Sequence, residues 1–370
     1  MTTHPELETV DMMLNMGPQH PSTHGVFRMV LWIDGERIVD MEPHIGYLHR
    51  GSEKLCEGES YGQVVTLFDR LDYVSNFNNE QVFCRAVERL MDIEVPERAM
   101  YIRTILCELN RVASHLLFLG TYALDAGAMT PVLYAFRERE RIQNLYEAVS
   151  GARMMHNFIR IGGIKEEVPA DFVPRVRQLL GELRRGVEEC DNLLTFNEVF
   201  LARTRGVGVI DSDTAVSYGL TGPCLRASGL AYDVRKDHPY EIYPNVSFTV
   251  PVGEYGDCWD RYWVRVQEAY QSLNIVEQCL DQMTEGPIMP QMRRIARPPK
   301  GEVYVHGENP RGDIGVYLVS DGTDKPYRLK VRPPSYCNLT ALRHMMKDAF
   351  IADAVVILGS LDIVLGEVDR

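Results

Sequence analysis

One stretch of this chain leaves little choice of fold. From Pro96 and Glu97 onward, Ile102, Ile105, Leu106, Leu109, Ala113, Leu116 and Leu117 recur at spacings of three and four. That spacing lines one face of an α-helix, and proline is tolerated in a first helical turn. Pro131 opens a second helical stretch over residues 133–149, and residues 174–194 form a third with a charged outer face. Residues 50–205 therefore read as a helical bundle.

The flanks read differently. Residues 26–33 and 37–41 are strand-like and meet at Asp34-Gly35, a hairpin signal. Beyond Gly206, glycines at 208, 219, 222 and 229 break the chain into what read as short strands and loops. Residues 260–283 return to helix. Residues 303–305, 314–319 and 327–331 read as strands, and so does the apolar run 354–361 after a short helix. The expected class is α+β, mainly α: an N-terminal β region (1–49), a central bundle (50–205), and an α+β region (206–370) packing back on it as one composite domain.

Charge and cysteine usage narrow the functions. Net charge is −13 and the isoelectric point about 5.3. A general nucleic-acid binder needs a basic face, and docking on anionic lipid needs basic clusters. The eight cysteines lie far apart with no Cys-x-x-Cys pair, which argues against a disulfide framework or zinc ribbon and for reduced thiols in a cytoplasmic compartment. Residues 1–10 are too polar for a signal peptide. The run 354–361 is far short of the roughly 20 residues a membrane helix needs. No Gly-x-Gly-x-x-Gly or Walker pattern occurs, so this chain is expected to bind neither NADH nor FMN.

Several residues could carry chemistry. His20 and His24 lie four apart in Gly17-Pro-Gln-His-Pro-Ser-Thr-His-Gly25, a loop and not a helix, so they read as loop histidines or as imidazoles held rigidly near a cavity. Arg50 belongs to a helix start with a surface ion pair. Tyr73 sits in an apolar segment and reads as core unless its hydroxyl faces a ligand. Asp125 either caps the helix that follows or supplies a carboxylate.

The complete Gly17–Gly25 signature and His44-Ile-Gly-Tyr-Leu-His-Arg-Gly-Ser-Glu-Lys54 resemble the 49-kDa (NuoD-type) subunits of respiratory complex I. Two other segments are similar to nickel–iron hydrogenase large subunits. Residues 70–75, Arg-Leu-Asp-Tyr-Val-Ser, match Arg-x-Cys-Gly-x-Cys, and residues 362–370 match the C-terminal Asp-Pro-Cys-x-x-Cys-x-x-Arg. Asp72, Ser75, Val364 and Glu367 occupy the cysteine positions. Soft metals need thiolates, so no nickel or other metal is expected.

The resemblance implies a hydrogenase-like fold that has lost its metal. It implies that Tyr73 and His24, with His20, hold a quinone headgroup, and that Asp125 pairs with His24 to supply protons. Arg50 and Arg70 would lie near the terminal 4Fe–4S cluster of a NuoB-type partner, as would the segment bearing Met155 and His156. Met155 stands where many relatives have a cluster-coupled histidine, and His156 follows one residue later. The implied function is quinone reduction coupled to proton pumping. Partners would be NuoB-, NuoC-, NuoI- and NuoH-type subunits, on the cytoplasmic face of the cell membrane, with no cofactor bound by this chain. The short connection from Met283 to Pro298 is similar to that of the archaeal reduced-coenzyme-F420 dehydrogenase. Such a complex, a ferredoxin-dependent one, or a redox-inactive scaffold are the alternatives.

Overall fold

The computed structural model describes residues 12–292 and 295–370, so residues 1–10, read above as lacking a signal peptide, lie outside the described residues. Three antiparallel strands open the chain: β1 (Met12–Met16), β2 (Arg28–Asp34) and β3 (Arg37–His44), in the order β1-β2-β3. The two-residue turn Gly35-Glu36 joins β2 to β3, with Asp34 paired to Arg37 across it and Gly35 at φ +60 as a tight hairpin demands. The β1–β2 connection is a loop with one 3₁₀ turn, Pro21–Thr23.

Helices α1 (Ser52–Cys56), α2 (Tyr61–Phe68), α3 (Asn76–Met91), α4 (Glu97–Asp125) and α5 (Thr130–Ser150) follow. After the small hairpin β4 (Ile159–Arg160) and β5 (Gly163–Ile164) come α6 (Phe172–Leu194) and α7 (Glu198–Thr204). Residues 212–237 hold only α8 (Ser212–Ser217), α9 (Pro223–Ala227) and α10 (Val234–Asp237), and α11 (Cys258–Gln282) returns to the bundle. A second three-stranded sheet is β6 (Gly301–Asn309), β7 (Gly312–Ser320) and β8 (Arg328–Arg332). The chain closes with α12 (Pro334–Leu339), α13 (Leu342–Met346), α14 (Ile351–Leu361) and α15 (Leu365–Asp369).

Helix α4 is the axis of the molecule. It packs against α5 and α11, and α14 lies across both α4 and α11. Its expected face is buried, but so are Arg103, Glu108, Arg111 and His115 on the other faces. Those charges are satisfied in place: Arg103 meets Glu88 at 2.6 Å and Glu241 at 3.0 Å, and Glu108 meets Arg235 at 3.1 Å. Buried charge without such partners would cost on the order of several kcal/mol per ion, even after relaxation. No helix among the described residues is long and apolar enough to cross a membrane.

Three sequence readings fail. Residues 354–361 are not a strand but most of α14. A short apolar run buried on every side has no periodicity to separate strand from helix. Residues 206–257 contain no strand among those described; their glycines mostly end short helices and shape loops. Asp125 does not cap the following helix. It is the last residue of α4, and α5 begins at Thr130 with proline in its first turn.

Candidate functional site

The β1–β2 loop is built to hold one ring. Gly17 must be glycine: its φ is +90, and a Cβ there would stand 2.0 Å from the Phe27 carbonyl. The Thr23 hydroxyl bonds the His20 carbonyl at 2.8 Å, and His20 and Gly25 form a bridge across the turn. His24 takes φ +54, uncommon for a residue with a side chain. That conformation sends its ring to the end of α4, where Nε2 lies 2.7 Å from Asp125 Oδ2. The side chains are 20% and 12% exposed. Burial works against a charged ring, but the hydrogen bond and charge of Asp125, with Asp362 farther off, raise the His24 pKa above its ordinary value. Gly359, in the last turn of α14, closes over the pair: a Cβ there would lie 2.6 Å from Asp125 Oδ2 and 3.4 Å from His24 Nε2.

Beside this pair is a cleft of about 540 Å³ lined by His20, Gly25, Val26, Leu48, Tyr73 and Leu365, among others. Tyr73 is half-buried. Burial, reinforced by neighbouring Asp72, pushes its phenol pKa up against the pull of Arg311 and Arg50. It is therefore a neutral donor at physiological pH. The structure thus brings His20 and Tyr73 to one cleft; His24 and Asp125 pair with each other and do not line it, although Gly25, next to His24, does.

The four positions matched to metal-binding cysteines are buried. Ser75 Oγ accepts from Asn78 at 2.9 Å, and Val364 packs in the interior. The other two join an ion cluster centred on Arg311. Its Nη1 donates to Asp72 Oδ2 at 2.9 Å and to Ser114 at 3.0 Å, and its Nη2 donates to Asp362 Oδ1 at 3.2 Å. Burial, with Asp72 nearby, pushes the Glu367 carboxyl up to about 8. The chemistry is hard oxygen and guanidinium, with no thiolate, and no group of three or more acidic, His or Cys side chains among the described residues is arranged to hold a metal. Sequence reasoning missed Arg311. The available signal was indirect: a carboxylate at Asp72, in an apolar segment, requires a cation.

On the far side of Tyr73, the Arg50 guanidinium donates to the Arg70 carbonyl, and Arg70 reaches back to Thr66 O at 2.5 Å. Both arginines are exposed. Met155 is half-buried at φ +56. His156 points inward: it stacks on Phe77 at 4.3 Å, and its Nδ1 bonds the Ala152 carbonyl at 3.0 Å. Burial lowers its pKa to about 4, so it stays neutral near physiological pH.

A larger cavity, about 830 Å³, lies between α2 and residues 289–296 and holds none of the residues discussed above. The smaller cleft is the better candidate because titratable groups converge on it, whereas size alone specifies no chemistry.

Comparison with known proteins places the chain. It is 49% identical to the NADH-quinone oxidoreductase D-type subunit of Clostridium beijerinckii, over 99% of each chain. Against the Geobacillus kaustophilus counterpart it is 52% identical, over 98% of this chain and 99% of the relative. Against a counterpart from Chloroflexus aurantiacus it is 48% identical, over 98% and 95%. Residues 125–300 and 291–370 match the family described as respiratory-chain NADH dehydrogenase, 49 Kd subunit, and the chain belongs to that family.

Proposed function

We propose that this chain is the quinone-binding subunit of a proton-translocating NADH-quinone oxidoreductase. The observation that carries the reading is a mainly apolar cleft lined by a neutral phenol, Tyr73, and by Gly25, whose chain neighbour His24 is a carboxylate-paired imidazole. A quinone headgroup offers two carbonyl oxygens, which need two donors. The Tyr73 hydroxyl donates to one. His24 Nε2 is engaged by Asp125, which leaves Nδ1 for the other. With Nε2–H committed to the carboxylate, a neutral ring presents only a lone pair at Nδ1, so His24 donates there only as imidazolium. The raised pKa supports that state.

Reduction takes two electrons and two protons, one proton each from Tyr73 Oη and His24 Nδ1. The electrons are supplied by a 4Fe–4S cluster held in a NuoB-type partner. Arg50 and Arg70 form the exposed cationic face that would meet that partner, with NuoC-, NuoI- and NuoH-type subunits completing the surroundings. Loss of a proton leaves the half-buried Asp125 carboxylate less neutralised, a charge change suited to triggering pumping in a membrane arm. A peripheral position, held at the membrane by partners, follows from this reading.

Tyr73→Phe in the assembled complex tests it. Removing one hydroxyl of almost no volume should lower quinone reductase turnover by roughly tenfold or more, with assembly and cluster content unchanged. Wild-type kinetics would make Tyr73 a core residue and remove the reading's main support.

A further inference from the structure

The Arg311 cluster and the His24–Asp125 pair are contiguous, and Asp362 joins them. Asp362 ends α14 at φ +55, one short step beyond Gly359, which covers the pair. Its Oδ1 accepts from Arg311 Nη2 at 3.2 Å and its backbone carbonyl from Arg311 Nε at 2.9 Å. Its Oδ2 is buried, has no hydrogen-bond partner among the described residues, and forms a long ion pair with Arg265, whose Nε lies 3.8 Å away. One oxygen of this carboxylate is thus hydrogen-bonded to a guanidinium, while the other makes no hydrogen bond and faces a second guanidinium at 3.8 Å.

We propose that Asp362 is a second carboxylate of the His24 site, a positioning residue that acts with Asp125 to keep the imidazole doubly protonated for donation through Nδ1, with Arg311 setting how much of its charge the ring feels. This rests on the quinone reading above. Asp125 alone orients the ring, since one hydrogen bond at Nε2 is compatible with the neutral tautomer. A second, non-bonded negative charge favours the cation without blocking either nitrogen. The charged and titratable groups facing His24 from its surroundings are Asp125 and the neutral Tyr122 on α4, Asp362 at the end of α14, Arg265 on α11 and Arg311 in the β6–β7 turn behind Asp362, and His20 on its own loop. Only the two carboxylates act to raise the His24 pKa, and Asp362 does so through charge alone. The Arg311 guanidinium also holds Asp72, next to Tyr73, so one cation spans the two proposed donors.

The test uses the assembled complex. Quinone reductase turnover is followed against pH, with the alkaline fall reporting His24 losing its proton. In parallel, site-resolved diethyl pyrocarbonate labelling, which needs neutral imidazole, is followed at His24 without turnover. Asp362→Asn keeps the volume and the carbonyl bond but removes the charge. It should move the alkaline fall toward acid by about one pH unit and speed His24 labelling at fixed pH, and Asp362→Glu should restore both. Arg311→Lys, which loosens the hold on Asp362, should move both readouts the opposite way; it serves if the Asn variant fails to assemble. Unmoved profiles and labelling in Asp362→Asn or Arg311→Lys, alongside a clear shift in Asp125→Asn, would overturn the proposal and leave the quinone reading standing. Wild-type turnover in His24→Ala would overturn the quinone reading itself.

Discussion

Two of the molecule's imidazole–carboxylate pairs are used in opposite ways. His24 meets Asp125 at 2.7 Å at the edge of the cleft, and His115 meets Glu268 at 3.0 Å in the middle of the bundle. The His24 pKa is raised and the His115 pKa is lowered. The difference lies in the surroundings. His115 is fully buried, and that burial is the largest influence and disfavours its cation; Glu268 pulls the other way, and Arg265 and Arg111 add a smaller repulsion on the side of burial. Glu268 itself is shared with Arg226, whose Nε donates to it at 2.8 Å, so its charge is already neutralised by a permanent cation. His24 is partly exposed, and the charges that act on it are those of the carboxylates Asp125 and Asp362. An imidazole–carboxylate pair is thus a fixed structural joint in one place and a proton-holding group in the other, and the balance between burial and the charges around the ring decides which.

The comparison is broken most severely at the interior pair. Glu268→Ala leaves Arg226 and His115 buried without their partner and should cost about 3–5 kcal/mol. Denaturant unfolding, or assembly yield if the variant cannot be isolated, would show it; a loss within about 0.5 kcal/mol, typical of an exposed surface site, would contradict the account of the network.

At the cleft, damage should come from crowding before charge. Gly359→Ala places a methyl group 2.6 Å from Asp125 Oδ2, so the carboxylate must move. Overpacking of this kind costs about 1–3 kcal/mol, and quinone turnover should fall with it. A variant with wild-type stability and turnover would mean that α14 yields freely at this point.

Asp125→Asn should barely change stability yet lower turnover by roughly a hundredfold, the lower end of what general acid–base groups contribute. The double variant with His24→Ala should be less than additive, since the two act as one unit. Independent, fully additive losses would separate them.

The smallest effect is the dependence of stability on pH, and the two histidines should differ in sign. For His24 the folded pKa lies above the unfolded value of about 6.5, so its contribution is present below that pH and lost as pH rises through the folded value. For His115 the folded pKa lies below about 6.5, so stability is lost as pH falls from there toward the folded value. Unfolding midpoints against pH in His24→Gln and His115→Gln should each remove one of these slopes; slopes of the same sign would refute the contrast.

His156 limits what can couple to a neighbouring cluster. The sequence left open whether it replaces the histidine absent at Met155. Its ring is stacked inside the bundle, with a pKa lowered to about 4 by burial, so it is a poor proton acceptor. A terminal cluster beside this chain should therefore show a midpoint potential with little pH dependence. A slope near 59 mV per pH unit, the value for one proton per electron, would require another group.

Long helices were legible because their signals are local. The apolar spacing of α4 and the prolines opening α4 and α5 repeat over several turns, and only a helix presents such residues on one face. The His20–His24 loop was legible as a loop for the same reason, since Gly17 and Gly25 demand conformations that neither helix nor strand offers. The run 354–361 was misread because eight buried apolar residues carry no periodicity, and its state was decided by packing across α4 and α11.

What the sequence by itself determined is the set of chemical groups and the ends of the regular elements: a phenol at 73, an imidazole at 24, a carboxylate at 125, and oxygen or apolar side chains where a metal site would need thiolates. What only the tertiary structure decided is how those groups are charged. His24 and Asp125 are 101 residues apart, and Arg311 reaches Asp72 across 239. Protonation depends on distances of a few ångströms and on exclusion of water, and neither is encoded in spacing along the chain. The same physics made His24 a proton holder and His115 a neutral strut from nearly identical partners.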